Sequence, residues 1–113
     1  THAPTVRVVW PNGGETLSAP GPHSIRWLAQ DEDGDPLTVL VESSSDGGAT
    51  WSALGRASGD QSLAVPAEPG SLDPSDRALV RVTVTDGLNV ASDVADGTFR
   101  VSFGEAYLPS VRR

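Results

Sequence analysis

The 113-residue sequence contains no cysteine, no methionine and no lysine. Without cysteine it has no disulfide framework, no thiolate metal site and no thiol nucleophile. Without methionine it has no start residue of its own, so we expect it to be a piece of a longer protein. No apolar run approaches the ~18 residues that a membrane span needs, which predicts no membrane insertion.

Positive charge is also scarce. Eight basic residues, all of them Arg, stand against fifteen acids and give a formal net charge of −7. This excess of negative charge argues against nucleic acid or an anionic membrane as a partner. Most of the acids are Asp, which favours turns, so the composition fits either a turn-rich surface or a dedicated acidic site.

Turn residues divide the sequence into short segments in which apolar and polar residues alternate. Seven segments show this pattern, at about residues 6–10, 25–29, 37–42, 49–54, 63–65, 78–84 and 99–103. Seven short strands without a helical period predict an all-β, seven-stranded β-sandwich. We expect the domain to span residues 5–103, with residues 1–4 as a linker and 104–113 as a tail.

Six aromatic residues are available to fill a core or to bind a ligand. The alternation predicts that Trp27 and Trp51 lie between the two sheets. The neighbours expected around them are Val80, Val82, Phe99 and Val101, and Phe103 shares their side of the last strand. Trp10, at a strand end, has room for partial exposure, and Tyr107 falls in the tail. Sugar-binding sandwiches need exposed aromatic platforms, so this pattern favours a core role and leaves carbohydrate binding as the alternative.

Residues 44–51 read Ser-Ser-Asp-Gly-Gly-Ala-Thr-Trp. Asp46 can accept backbone N–H groups across a hairpin turn, and two glycines can adopt positive φ. The octet resembles the Asp-box, Ser-x-Asp-x-Gly-x-Thr-Trp, whose defined positions are Ser44, Asp46, Gly48, Thr50 and Trp51. The resemblance implies a β-hairpin that builds structure and performs no catalysis.

Two further segments resemble known modules. Residues 72–82 are similar to the fibronectin type III pattern Leu-x-Pro-x-x-x-Tyr-x-x-x-Val, with Ala78 at the position of the tyrosine. Residues 11–15, Pro-Asn-Gly-Gly-Glu, followed by Ile25-x-Trp27 and then 33–35, Asp-Gly-Asp, resemble a bacterial Ig-like pattern. These resemblances imply a bacterial fibronectin type III or Ig-like accessory module of a secreted or cell-surface protein.

Acidic residues concentrate in residues 31–36, Asp-Glu-Asp-Gly-Asp-Pro. Oxygen ligands at alternate positions suit calcium, although Pro36 stands where an EF-hand loop needs glycine. In a fibronectin-type sandwich this loop shares an end with the loop before the last strand. The candidate calcium ligands are therefore Asp31, Asp33, Asp35, Asp86, Asn89, Asp93 and Asp96. The alternative is that the Asp-Gly pairs form turns with solvated carboxylates.

Catalytic residues are not predicted. His2 and His23 are the only histidines, and no motif places either beside a nucleophile or sets two carboxylates across a cleft. We therefore expect a non-catalytic spacer or protein-interaction module whose partners are neighbouring domains of the same polypeptide, other proteins or glycans. We expect it to be a monomer in isolation and to have no cofactor, with calcium as the one candidate ion. The alternative function is a carbohydrate-binding module attached to an extracellular hydrolase.

Overall fold

The computed structural model describes residues 3–18, 23–34, 36–58, 62–65 and 72–102. Short segments in which apolar and polar residues alternate form every element within these ranges. Nine strands lie within these ranges: β1 Thr5–Trp10, β2 Thr16–Ser18, β3 His23–Gln30, β4 Thr38–Ser44, β5 Ser52–Ser58, β6 Ser62–Val65, β7 Ser75–Thr85, β8 Val90–Val94 and β9 Phe99–Ser102. In these ranges there is no helix of the length and hydropathy that crossing a bilayer requires. Asp35, Phe103 and the predicted tail lie outside the described residues.

The strands form two sheets. The first has the order β1-β3-β6, and the second has the order β2-β9-β7-β4-β5, with β8 also paired to β7. β2 runs parallel to β9, and the other pairs are antiparallel. The predicted all-β, two-sheet architecture is confirmed. The expected strand number of seven is wrong, because the described residues contain two further strands, β2 and β8. β2 has only three residues. In β8 the polar residue Asp93 occupies an inward-facing position.

Alternate side chains of both sheets turn inward and exclude water. Trp27, the largest fully buried side chain, is 1% exposed and packs in one cluster with residues of the second sheet, as expected. The buried apolar residues are Val8, Leu17, Ile25, Trp27, Val39, Val41, Val65, Leu72, Ala78, Val80, Val82, Val84, Ala95, Phe99 and Val101. Burial of each Val, Leu or Phe side chain contributes roughly 1.5–3 kcal/mol, so this interior is the main source of stability.

Trp51 does not lie in that interior, contrary to the sequence prediction. The pairing register between β4 and β5 shifts after Val41. Val41 pairs with Gly55, whereas the next residue of β4 pairs with Ala53. Leu54 is therefore an extra residue in β5, a β-bulge that reverses the facing of the residues before it. Trp51 is consequently half-buried on the outward face of the second sheet.

The strands run between two ends of the sandwich. β1 begins at one end, where Thr5 pairs with Gln30, and Thr38 of β4 pairs there with Thr85 of β7. We call this end the entry pole; it also carries the 31–34 loop.

The opposite end is formed by the 45–51 turn and the end of β9. Val101 of β9 pairs with Ser75 at the start of β7, and the Ser75 hydroxyl donates to the Ser45 carbonyl oxygen at 2.7 Å. We call this end the exit pole. The chain thus enters the sandwich at one pole and reaches the end of β9 at the other.

Trp27→Ala should lower the free energy of unfolding by about 3–5 kcal/mol, because it removes a large side chain from between the sheets. Leu28→Ala is the matched control: Leu28 follows Trp27 on β3, is 49% exposed and should change the free energy by no more than about 0.5 kcal/mol. The loss of unfolding free energy for Trp51→Ala should lie between those of Trp27→Ala and Leu28→Ala. Urea denaturation measures all three, and equal losses for Trp27→Ala and Leu28→Ala would contradict the packing.

Candidate functional site

The 44–51 hairpin is held by the carboxylate of Asp46. One oxygen, Oδ1, accepts the Ser44 hydroxyl at 2.6 Å and the Thr50 backbone N–H at 2.9 Å. The other, Oδ2, accepts the Thr50 hydroxyl at 2.6 Å. Both oxygens are therefore engaged within the hairpin, and the carboxylate closes the loop instead of facing a ligand.

Two glycines allow the turn to close and to dock on β7. Gly47 has φ of 75° and Gly48 has φ of 99°, a region that residues with a Cβ rarely adopt. The Gly48 N–H donates to the Ser44 hydroxyl oxygen at 2.8 Å, and the Gly47 N–H donates to the carbonyl oxygen of Arg77 at 3.0 Å. The turn is thereby fixed both internally and against the neighbouring strand.

These donors also determine the protonation of Asp46. The hydrogen bond from the Ser44 hydroxyl, followed by those from Thr50, holds the pKa of Asp46 well below its ordinary value of 3.8. Hydrogen bonds to the charged form favour that form, so the carboxylate stays ionised in the folded protein at mildly acidic pH.

Trp51 lies on the outward face of the second sheet beneath an arginine. The guanidinium carbon of Arg81 is 4.3 Å from the centroid of the Trp51 ring, a cation–π arrangement. Arg81 also bonds Glu42 through Nε and Nη2, each 2.9 Å from Oε1. One face of the indole is therefore covered by the guanidinium group of Arg81, which limits its use as a platform for a ligand.

The predicted calcium ligands do not all lie at the entry pole. Asp31 lies at the end of β3 and Asp86 at the end of β7, both at the entry pole. Their Oδ2 atoms are buried and accept no hydrogen bond from the described residues. Asp33 and Asn89 belong to the same two loops, and Asp35 lies outside the described residues.

Asp86 is committed to its own turn. Its Oδ1 accepts the N–H of Asn89 at 2.7 Å and the N–H of Leu88 at 2.9 Å. These two bonds, that of Asn89 first, lower the pKa of Asp86 from its ordinary value. This is the turn chemistry that the sequence offered as the alternative to a metal site.

Asp93 lies elsewhere and joins the two sheets. Asp93 belongs to β8 and pairs with Val82 of β7. Its Oδ2 accepts the backbone N–H of Val8 at 2.8 Å. β1 is an edge strand of the first sheet, so this bond satisfies a donor on an otherwise open edge. The expectation that Asp93 gathers with the loops of the entry pole is wrong.

Asp96 is also away from the entry pole, in a reciprocal pair with Asn12. The Asn12 side-chain amide donates to Asp96 Oδ2 at 3.0 Å, and the Asp96 N–H donates to Asn12 Oδ1 at 2.8 Å. Glu15 completes this clamp by accepting the N–H of Asn12 at 2.8 Å and of Gly13 at 2.7 Å. The Pro-Asn-Gly-Gly-Glu segment therefore fastens the β1–β2 connection to the β8–β9 turn, a role that its sequence did not reveal.

The described residues offer little for metal or nucleophilic chemistry. Among them, no three His, Asp or Glu side chains form a group that could hold a metal ion. His23 Nε2 lies 2.8 Å from the Ser18 carbonyl oxygen, and its ring lies 6.3 Å from the Trp10 ring. A hydroxyl-lined cavity of about 40 Å³ lies behind the 44–51 hairpin, between Ser43, Ser52 and Asp73 among others. It has room for water, and its described lining brings no histidine to a serine.

Asp46→Asn should lower the Tm at pH 7 by roughly 4–8 °C, because the hairpin loses the charge that its donors favour. The pKa of Asp46 is lowered on folding, so its contribution is complete above the ordinary value of 3.8 and is lost as the pH falls through the folded value. The difference in Tm between wild type and Asp46→Asn should therefore shrink as the pH falls below about 4. The pKa of Asp86 is lowered in both proteins, so its contribution to the pH dependence cancels in the difference between the two Tm values. A difference that stays constant down to pH 2 would contradict this account.

Calcium chloride and sodium chloride at equal ionic strength should change the Tm of the 113-residue chain alike, because turn carboxylates respond only to screening. Asp31→Asn/Asp86→Asn is the matched variant, since it removes the two carboxylates with an unpartnered oxygen. A larger rise in wild type with millimolar calcium, absent from this variant, would overturn the turn assignment and restore a calcium site at the entry pole.

Known proteins provide no further guide to this site. No protein-family model, no curated protein and no solved structure matches this chain. The resemblances of its segments to the Asp-box, to fibronectin type III and to bacterial Ig-like patterns stay predictions.

Proposed function

We propose that this chain is a non-catalytic module of a larger secreted or cell-surface protein, acting as a spacer or a protein-interaction domain with an Ig-like or fibronectin type III-like sandwich. The strand order supports this type, since the consecutive strands β1 and β2 belong to different sheets and β2 pairs in parallel with the last strand. The extracellular setting rests on the resemblances of residues 11–15, 44–51 and 72–82.

The observation that carries the proposal is the position of the first and last strands. β1 starts at the entry pole, whereas β9 ends at the exit pole beside Ser75. A module with this geometry holds whatever precedes β1 and whatever follows β9 apart by the length of the sandwich. β7 spans that length with eleven residues, which corresponds to roughly 35 Å at ~3.3 Å per residue.

The engagement of the polar side chains supports a non-catalytic role. Both carboxylate oxygens of Asp46 and of Glu15 accept hydrogen bonds within their own turns, and Asp93 accepts a backbone N–H from the facing sheet. Catalytic acids and bases need at least one atom free to meet a substrate. The distinctive carboxylates of this sequence instead satisfy backbone donors.

Carbohydrate binding is the second candidate, and the exposure of two indoles favours it. Trp10 and Trp51 are both only half-buried, although Trp10 also packs against the core cluster. Each is already in contact with a side chain, Trp51 with Arg81 and Trp10 with His23 at an interplanar angle of 33°. Stacking of a sugar on either ring would have to use the remaining surface.

The spacer role predicts a fixed distance between the poles. Because the sequence has no cysteine, Thr5→Cys/Arg100→Cys can be spin-labelled at two exposed positions without background. Pulsed electron–electron spin resonance should give one narrow distribution at roughly 30 Å, from the rise along the strands and the ~10 Å between packed sheets. A broad distribution, or a mean below about 20 Å, would contradict a rigid spacer.

Affinity electrophoresis through gels that contain soluble polysaccharides distinguishes carbohydrate binding from the spacer role. The proposed function predicts equal mobility of wild type, Trp10→Ala and Trp51→Ala in every gel. Retardation of wild type that either substitution abolishes, in a variant that still melts cooperatively, would replace the spacer proposal by carbohydrate binding.

A further inference from the structure

Asn12 and Gly13 form the only Asn-Gly step in the sequence. At such a step the glycine nitrogen can attack the side-chain carbonyl carbon of the asparagine, because glycine has no side chain to obstruct the approach. The attack gives a succinimide ring and ammonia, and water then opens the ring to aspartate or isoaspartate. A base on the attacking N–H and a hydrogen-bond donor on the attacked oxygen both promote this reaction.

The clamp of Asn12, Glu15 and Asp96 supplies a partner to each reacting atom. The Gly13 N–H, which carries the attacking nitrogen, donates to Glu15 Oε1 at 2.7 Å. Asn12 Oδ1, which gains negative charge during the attack, accepts the Asp96 N–H at 2.8 Å. The leaving nitrogen, Asn12 Nδ2, donates to Asp96 Oδ2 at 3.0 Å. Gly13 and Asp96 are exposed, so water can reach the place where the ring forms.

Four Asp-Gly steps provide a comparison within the same chain, at residues 33–34, 46–47, 86–87 and 96–97. In each of them the glycine N–H donates to a carbonyl or hydroxyl oxygen, which is a far weaker base than a carboxylate. An aspartate side chain is also negatively charged at neutral pH, which opposes attack on its carbon. Of the five steps, only Asn12–Gly13 combines a base on the attacking nitrogen with a neutral amide whose oxygen accepts an N–H.

We propose that Asn12 is a modification site, at which the chain deamidates itself with Glu15 as the general base. Glu15 Oε1 takes the proton of the Gly13 N–H while that nitrogen bonds to Cγ of Asn12. The Asp96 N–H stabilises the negative charge on Oδ1. The Cγ–Nδ2 bond then breaks as the C=O bond re-forms, and the proton passes from Glu15 to the leaving nitrogen, which departs as ammonia. After hydrolysis of the ring, the amide and water have become a carboxylate and ammonium.

The product opens the clamp in which it forms. A carboxylate at position 12 cannot donate to Asp96 Oδ2, and it adds a third negative charge beside Glu15 and Asp96. These like charges repel one another. β2, which has only three residues, then loses the anchor that precedes it, and the burial of Leu17 weakens.

The change proceeds in one direction, because the ammonia is lost and refolding does not restore the amide. The module therefore acquires, without an enzyme, a mark of its age that loosens the β1–β2 connection. The chain reacts with itself once and turns over no other molecule, so the non-catalytic role proposed above is unaffected. The inference is independent of that role, which the spin-label distance tests on freshly prepared protein.

The test compares wild type with Glu15→Gln, which keeps the size of the side chain and an acceptor oxygen but removes the base. Glu32→Gln is the matched control, because it makes the same chemical change in an exposed residue at the entry pole. Each folded protein is incubated for several weeks in warm, neutral buffer. Peptide mapping by mass spectrometry then gives the rate of conversion at Asn12, with Asn89 of the same chain as an internal reference.

Wild type and Glu32→Gln should convert Asn12 at equal rates and faster than Asn89. Glu15→Gln should convert it at least about tenfold more slowly, since a positioned base contributes roughly 10²–10⁴-fold. In concentrated urea, where the clamp is absent, wild type and Glu15→Gln should react equally.

The opposite role of the clamp is protection, in which its hydrogen bonds hold Asn12 still. Protection predicts that Glu15→Gln reacts as fast as wild type or faster, and this result would overturn the inference. Aged wild type with Asn12 unmodified would overturn it as well. A Glu15→Gln rate that is equally reduced in urea would show that the effect comes from the local sequence and not from the folded clamp, and would also overturn it.

Asn12→Asp supplies one of the two products directly and tests the consequence. Its Tm should lie about 4–8 °C below that of wild type, because a hydrogen bond of the clamp is replaced by repulsion. Gln30→Glu is the matched control: it makes the same change from amide to carboxylate at an exposed residue of β3 and should melt within about 2 °C of wild type. Equal Tm values for Asn12→Asp and wild type would contradict the opening of the clamp.

Discussion

Burial of alternate side chains between two sheets is the constraint on which the rest of this structure depends. Neither sheet can hide its apolar face alone, and Trp27 and Phe99 become buried only when the two faces meet. The sandwich that results fixes the direction of every strand, and hence the separation of the entry and exit poles. The proposed spacer role follows from this geometry and requires no reactive group.

Carboxylates hold the connections that the interior does not stabilise. Asp46 closes the 44–51 hairpin, Glu15 and Asp96 fasten the β1–β2 connection, and Asp93 bonds the edge of the first sheet. An unpaired backbone donor costs about as much as a lost hydrogen bond, so Asp46, Glu15 and Asp93, which accept backbone N–H groups, each remove a local penalty. This explains why an acidic, Asp-rich sequence need not contain a metal site.

The sequence predicted those features in which local chemistry decides. Alternation in Ile25–Ala29 and Ala78–Val84 identified β3 and β7, and the octet with Asp46 identified its hairpin. Trp51 was misplaced because a bulge at Leu54 is invisible to alternation counted along one strand. β8 was missed because Asp93 interrupts its apolar side, and the bond that explains this residue comes from Val8, 85 positions away.

Amide hydrogen exchange tests most directly the central claim, that the distinctive carboxylates serve the backbone of their own fold. The N–H groups of Val8, Asn12, Gly13, Thr50 and Asn89 each donate to a carboxylate and to no strand partner described for them. The account predicts that these five amides exchange more slowly than the unstructured-chain rate, although four of them lie in loops. Exchange at the unstructured rate, with strand amides protected in the same sample, would show that the carboxylates are free, and would contradict the account.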